Sequence, residues 1–253
     1  MANKYKILYE DDFHKCIMFH FDDETHQDSF LSVNQYLIIQ NNAAVLIDPG
    51  SEAIFDELYD AISEFIEISK IKFIFLSHQD PDVSASITQW STVTQAKFII
   101  SALWVRFLSH YGFMDMARVI ALPDKGAKVH FGKDALVFIP AHFLHSPGNF
   151  SLYDTRSQIL FSGDIGAAVL PAEEGGEKTV HDFNLHVNYL EGFHKRYMAS
   201  NKVCNAWCIE VKKLQPQIIA PQHGYTFEKE NVKYFLEWFS TLECGIDLVK
   251  ELY

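Results

Sequence analysis

Four short polar segments each follow an apolar run, and together they offer imidazoles and carboxylates. The first is Ser77-His78-Gln79-Asp80-Pro81-Asp82-Val83, in which His78, Asp80 and Asp82 alternate. Alternation along an extended segment points side chains to one side, and Pro81 makes the stretch a poor helix interior. The second, Ala141-His142-Phe143-Leu144-His145-Ser146-Pro147-Gly148-Asn149, carries His142 and His145. The third ends in Asp164 and the fourth, Ala220-Pro221-Gln222-His223-Gly224, carries His223. A lone buried histidine is usually a hydrogen-bonded core residue, and a lone aspartate after a strand is usually a turn residue. Four such loops supplying only His and Asp are a different matter. Carboxylates gathered at one point repel unless a cation neutralises them. The set contains no cysteine, which excludes a soft thiolate site, and mixed imidazole and carboxylate donors suit zinc, iron or manganese.

Elements must bring these loops together. Residues 36–39 and 43–47 are apolar runs around Asn41-Asn42, a hairpin signal. Asp48-Pro49-Gly50 stops the second strand, and Ser51 reads as the cap of a helix carrying Ile54, Leu58, Ile62, Phe65 and Ile66. Residues 72–76 predict a buried strand, and a strand at 97–100 precedes a helix near 102–111. Short strands follow at 118–122, 127–131, 135–139, 149–153 and 158–161. A helix is expected over 190–214, a strand at 217–220 and a last helix near 229–250. Strands in meander order, interrupted by helices, fit an α/β (α+β) fold: two sheets face to face with helices outside, an αββα sandwich. With no repeat and no linker, residues 1–253 read as one domain. Phe138, Phe143, Phe150 and Phe161 read as sandwich core, with a dry lining around the metals as the alternative. Cys204 and Cys208 share one helix face and read as packing rather than as a metal or redox pair.

The chain has 253 residues, 33 acidic and 21 basic, for a net charge of −12. That balance argues against nucleic acid or an anionic membrane surface as partner. No apolar run reaches the ~18–20 residues of a membrane span, and the N-terminus lacks an apolar signal segment, so a cytoplasmic location is expected. Four cysteines are too few for a disulfide scaffold.

The loops resemble those of the metallo-β-lactamase superfamily, whose signature is His-x-His-x-Asp-His followed by a His, a bridging Asp and a last His. Asp80 stands at the second position. A carboxylate there is similar to the flavodiiron proteins, with His-x-Glu-x-Asp-His, and a harder oxygen donor shifts preference from zinc toward iron. Residues 32–38, 45–48, 145–149 and 196–200 resemble that family's segments too. The resemblance implies two iron ions as cofactors. Iron one would be held by His78, Asp80 and His145, iron two by Asp82 and His223, and Asp164 would bridge them. The remaining ligand of iron two falls at Val83, which cannot ligate. His26, His142 and His181 are candidates for that place or for support, His26 first. Tyr197 matches one of two tyrosines the family carries near its irons, and Met198 stands where the other would be.

Flavodiiron proteins continue into a flavodoxin-like domain. The thirty residues after His223 read instead as one amphipathic helix, so no FMN is expected in this chain. Standalone proteins of this kind are known as oxygen-binding di-iron proteins, and the chain resembles them. The resemblance implies O2 as ligand, held as a peroxo-type adduct, with a signalling protein as partner. The alternative is reduction of O2 or NO with electrons from a separate flavoprotein or rubredoxin. A third option is a hydrolase using a metal-bound hydroxide. Loss of a histidine donor at Val83 leaves iron two less electron-rich, which favours a persistent adduct over O–O cleavage. A homodimer stays open.

Overall fold

The computed structural model describes residues 5–21, 32–170 and 178–252. Two sheets face each other. The first holds β1 (Tyr5–Glu10), β2 (His14–Phe21), β3 (Val33–Gln40), β4 (Ala43–Ile47), β5 (Ile71–Phe75), β6 (Lys97–Ser101) and β7 (Val119–Leu122) in sequence order. The second holds β8 (Ala127–Phe131), β9 (Asp134–Pro140), β10 (Phe150–Asp154), β11 (Ile159–Gly163), β12 (Ile218–Pro221) and β13 (Phe227–Glu228), also laid out in sequence order. The hairpin expected at Asn41-Asn42 joins β3 to β4, with Gln40 opposite Ala43 and Asn41 at φ 52°.

Three apolar layers hold this frame. Between the sheets lie Tyr36, Phe75, Phe138, Phe150 and Phe161. Outside the first sheet, α1 (Phe55–Ser63) and α3 (Ile87–Val93) bury Leu58, Ile62, Ile87 and Trp90 against Leu46 and Ile74. Outside the second, α4 (Phe183–Tyr197), α5 (Asn201–Leu214) and α6 (Glu230–Thr241) bury Leu190, Trp207, Phe235 and Phe239 against Leu160 and Ile219. This is the αββα sandwich expected from the sequence. Phe138, Phe150 and Phe161 are core, whereas Phe143 is half exposed.

Several boundaries differ from expectation. The polar segment after β5 is not extended throughout: Pro81 is the first residue of a one-turn helix, α2 (Pro81–Ser84), with Asp80 as its N-cap. Proline is tolerated at that position because its missing N–H would have no intrahelical partner anyway. The long helix over 190–214 is two helices, broken at Met198-Ala199-Ser200. The segment near 102–111 is a 3-10 helix over Val105–Tyr111. Ser51 makes no side-chain cap, and a 3-10 turn precedes α1. The last helix stops at Thr241, and α7 (Val249–Leu252) follows a further 3-10 turn. β1 and β2 were not anticipated. Among the described residues no helix is long and apolar enough to cross a membrane.

Candidate metal centre

All four loops end at one edge of the sandwich. β5 delivers His78, the segment entering β10 delivers His145, β11 delivers Asp164 and β12 delivers His223. The Asp164 carboxylate is the meeting point. Its Oδ2 lies 3.2 Å from His145 Nε2 and 3.8 Å from His78 Nε2, and its Oδ1 lies 3.5 Å from His223 Nε2. Asp80 Oδ2 sits 3.1 Å from His145 Nε2 and 3.8 Å from His78 Nε2. Asp82 Oδ2 sits 3.2 Å from His223 Nε2. The six residues therefore divide into two groups that share Asp164: His78, Asp80 and His145 on one side, Asp82 and His223 on the other. The first group with Asp164 offers four ligand atoms within 4.8 Å of one another.

Neighbouring groups fix which nitrogens face inward. The Asp48 carboxylate accepts from the Ser77 N–H at 2.7 Å and from the Ser77 hydroxyl at 2.9 Å. That hydroxyl in turn lies 2.9 Å from His78 Nδ1, so His78 donates through Nδ1 and keeps Nε2 free. His223 Nδ1 does the same toward the Ser32 carbonyl at 2.8 Å. Asp48 and Ser77 were missed as support residues, although both follow apolar strands just as the predicted ligands do.

The chemistry of the set fits cations. His78 Nε2 and Asp164 Oδ1 are buried without a hydrogen-bond partner among the described residues, a costly state that a coordinated ion removes. Burial alone would raise the Asp164 pKa, but the imidazoles of His78, His223 and His145 outweigh it and hold the carboxyl well below the usual range. Burial would lower His145, yet hydrogen bonds to Asp164 and Asp80 push it up to about 10. His223 is opposed by burial in the same way and raised by Asp164 and Asp82 to about 9. Each carboxylate and imidazole of the set thus stabilises the charge of the other.

The remaining predicted residues fall into place more loosely. Tyr197 is half exposed, with its ring 5.8 Å from His145 and stacked at 4.8 Å on Phe193. Met198 accepts the His145 N–H at its sulfur at 3.3 Å, so the residue in the tyrosine's place steadies a ligand loop. Val83 is fully buried in the apolar layer against α1 and α3, and its side chain adds nothing to the site. His142 is bonded to the Asp124 carbonyl, and His181 is exposed. His26 lies outside the described residues. Trp207 is core, with Nε1 donating to Ser151. Sequence reasoning missed His194, which is fully buried on α4, accepts the Gly166 N–H at Nε2 and donates from Nδ1 to the Leu190 carbonyl.

Sandwich and loop placement together define a metallo-β-lactamase-type fold. The chain belongs to the ODP family of beta lactamases, whose model matches residues 31–224. It is similar to a solved structure described as the peroxy diiron species of the chemotaxis sensor ODP, at 45% identity and TM-score 0.89, covering 99% of this chain and 100% of that one. The apo state of the chemotaxis sensor ODP from T. denticola is 46% identical, at TM-score 0.89, over 98% of each chain. A variant of a flavo di-iron protein from Thermotoga maritima shares the fold at TM-score 0.74 and 21% identity, over 94% of this chain and 62% of that one. The chain spans between 25% and 52% of the length of the curated relatives it matches. One is an uncharacterized protein of Methanocaldococcus jannaschii, 26% identical over 81% of this chain and 52% of its own length.

Proposed function

We propose that residues 1–253 are one di-iron domain that binds O2 and serves as an oxygen sensor. The observation that carries this reading is the Asp164 carboxylate facing Nε2 of His78, His145 and His223, from three different loops. His78, Asp80 and His145 would hold one iron, Asp82 and His223 the other, with Asp164 between them. Asp80 in place of an imidazole favours iron over zinc. The likeness to a sensor described with a peroxy diiron species supports O2 as the ligand.

The ion pair, when bound, supplies the electrons and positive charge that O2 needs. The chain's own residues set the conditions. Asp48 and Ser77 lock the tautomer of His78, and the Ser32 carbonyl locks that of His223. Phe193 and Tyr197 place aromatic edges beside His145. Val83 gives no donor where the flavodiiron pattern has one, which favours holding O2 over cleaving it. Tyr197 is a candidate to touch the bound ligand. A signalling protein in trans completes this reading, and a cytoplasmic setting suits four cysteines that are all free.

Iron analysis and optical spectroscopy test the reading. Protein loaded without oxygen should carry about two irons per chain and, on exposure to air, develop a visible absorption that persists. Asp164→Ala should lose at least one iron and the absorption with it. Zinc alone from iron-rich medium would defeat the di-iron assignment. Sustained O2 or NO consumption with a reduced flavoprotein or rubredoxin would replace sensing by reduction.

A further inference from the structure

A second cluster of ligating side chains lies at the far end of the sandwich. β10 begins beside the His145 loop and ends at Asp154, about 13 Å of strand away. There Asp154 meets His14 and Cys16 of β2, so the cluster ties one sheet to the other. All three are buried, with at most 2% of each exposed.

We propose that His14, Cys16 and Asp154 form a separate binding site for one zinc-like divalent cation. Cys16 Sγ lies 3.5 Å from His14 Nε2 and 3.6 Å from Asp154 Oδ2. A tetrahedral ion with sulfur at about 2.3 Å and nitrogen or oxygen at about 2.0–2.1 Å sets those two edges at about 3.5 Å. The third edge is now a hydrogen bond, His14 Nε2 to Asp154 Oδ2 at 2.7 Å, and must open by about 0.6 Å to admit the ion. The Ser157 hydroxyl donates to the same Oδ2 and offers a fourth oxygen at that spot. Charge fits as well: thiolate and carboxylate together carry two negative charges, which a dication neutralises in a buried place. Binding expels the thiol proton to solvent and shifts the imidazole hydrogen from Nε2, where it faces Asp154, to Nδ1, which has no partner among the described residues.

The end is sealed from outside. Arg156 holds Asp11 through Nε at 2.8 Å and Nη2 at 3.0 Å, and Asp134 through Nη1 at 3.2 Å. Asp11 in turn accepts the N–H groups of Phe13 and His14. An ion therefore enters as the chain folds. A thiolate donor separates this site from the loop site, which has none.

Refolding the full chain with cobalt(II) supplies the test. A thiolate-to-cobalt charge-transfer band in the near ultraviolet is expected. It should vanish in Cys16→Ser and persist in Cys208→Ser and in Asp164→Ala. A refolded wild-type chain without that band, or a band that survives Cys16→Ser, overturns the proposal. If Cys16→Ser does not fold, the zinc shell is read by X-ray absorption in a chain with Cys204→Ala, Cys208→Ala and Cys244→Ala, where Cys16 is the sole thiol. Sulfur at about 2.3 Å supports the site, and a shell of nitrogen and oxygen alone overturns it.

Discussion

The two ends of the sandwich hold the same kinds of side chain in opposite states. At the far end, Asp154 takes the His14 imidazole at 2.7 Å, the Ser157 hydroxyl and the N–H groups of Arg156 and Ser157. At the loop end, imidazole-to-carboxylate approaches run from 3.1 to 3.8 Å, and buried polar atoms are left unbonded. The first cluster closes around Asp154 and leaves His14 Nδ1 unbonded among the described residues, whereas the second leaves both a ligand nitrogen, His78 Nε2, and a ligand oxygen, Asp164 Oδ1, without a partner. Burial alone, then, does not tell a polar cluster that satisfies itself without a ligand from one that does not; the donor and acceptor count does.

The largest effect expected from this contrast is in the metal-free protein. Asp154→Ala should cost about 1–3 kcal/mol for each of the buried groups it leaves unpaired, the His14 imidazole and the Ser157 hydroxyl. Asp80→Ala should cost within about 1 kcal/mol, since 31% of that side chain is exposed to solvent. Urea unfolding of both variants, treated with chelator, measures the difference. Equal losses would erase the distinction between the two ends.

His194 gives the contrast a pH dependence. It supports the loop end through Gly166, two residues beyond Asp164, and it is satisfied only while neutral. Burial lowers its pKa from 6.5 to about 4. Between those values the unfolded chain binds a proton that the folded chain refuses. The His194 contribution is therefore fully present above pH 6.5 and is lost as pH drops toward 4, by about 3 kcal/mol at 1.36 kcal/mol per unit. His194→Gln keeps an acceptor for the Gly166 N–H and removes the titration. Urea midpoints at pH 7.5 and 4.5 should lie closer together in the variant than in the parent. An unchanged gap would mean that His194 is not a source of the acid loss.

How far the sequence discloses these features depends on the distance over which their causes act. The six loop residues are legible because each follows an apolar strand, and strand ends of a sandwich converge. His14, Cys16 and Asp154 pass unnoticed because β2 reads HKCIMFHF and is buried along most of its length. Helices cover one face of its sheet and the second sheet covers the other, so the alternation that marks a half-exposed strand is missing. The break between α4 and α5 has no proline or glycine to announce it. It is made by distant partners: the Ala199 N–H bonds the Phe143 carbonyl, and the Ala199 carbonyl accepts the Ile246 N–H. Pro81 misleads in the other direction, since a residue that ends helices also begins them. Val83 is legible only as an absent donor; that its side chain faces the apolar layer follows from α2, which the loop reading did not contain.

The smallest effect lies one hydrogen bond behind a proposed ligand. Ser77 holds His78 in register through its hydroxyl, and Asp48 anchors that hydroxyl from a fully buried position where burial raises the carboxyl pKa to about 6. Ser77→Ala removes the link yet leaves all six proposed ligands in place. Partners of this kind are worth roughly 10–100-fold in metal affinity, which at 1.4 kcal/mol per tenfold is about 1.4–2.8 kcal/mol. Competition with a chromophoric chelator should show the weakening at one ion and leave the stoichiometry unchanged. Asp48→Asn should follow it in part, because an amide can accept the Ser77 N–H without holding the hydroxyl in the same sense. A Ser77→Ala chain that binds as tightly as the parent would mean that the loop alone orients His78, and that the support chain from β4 is packing rather than tuning.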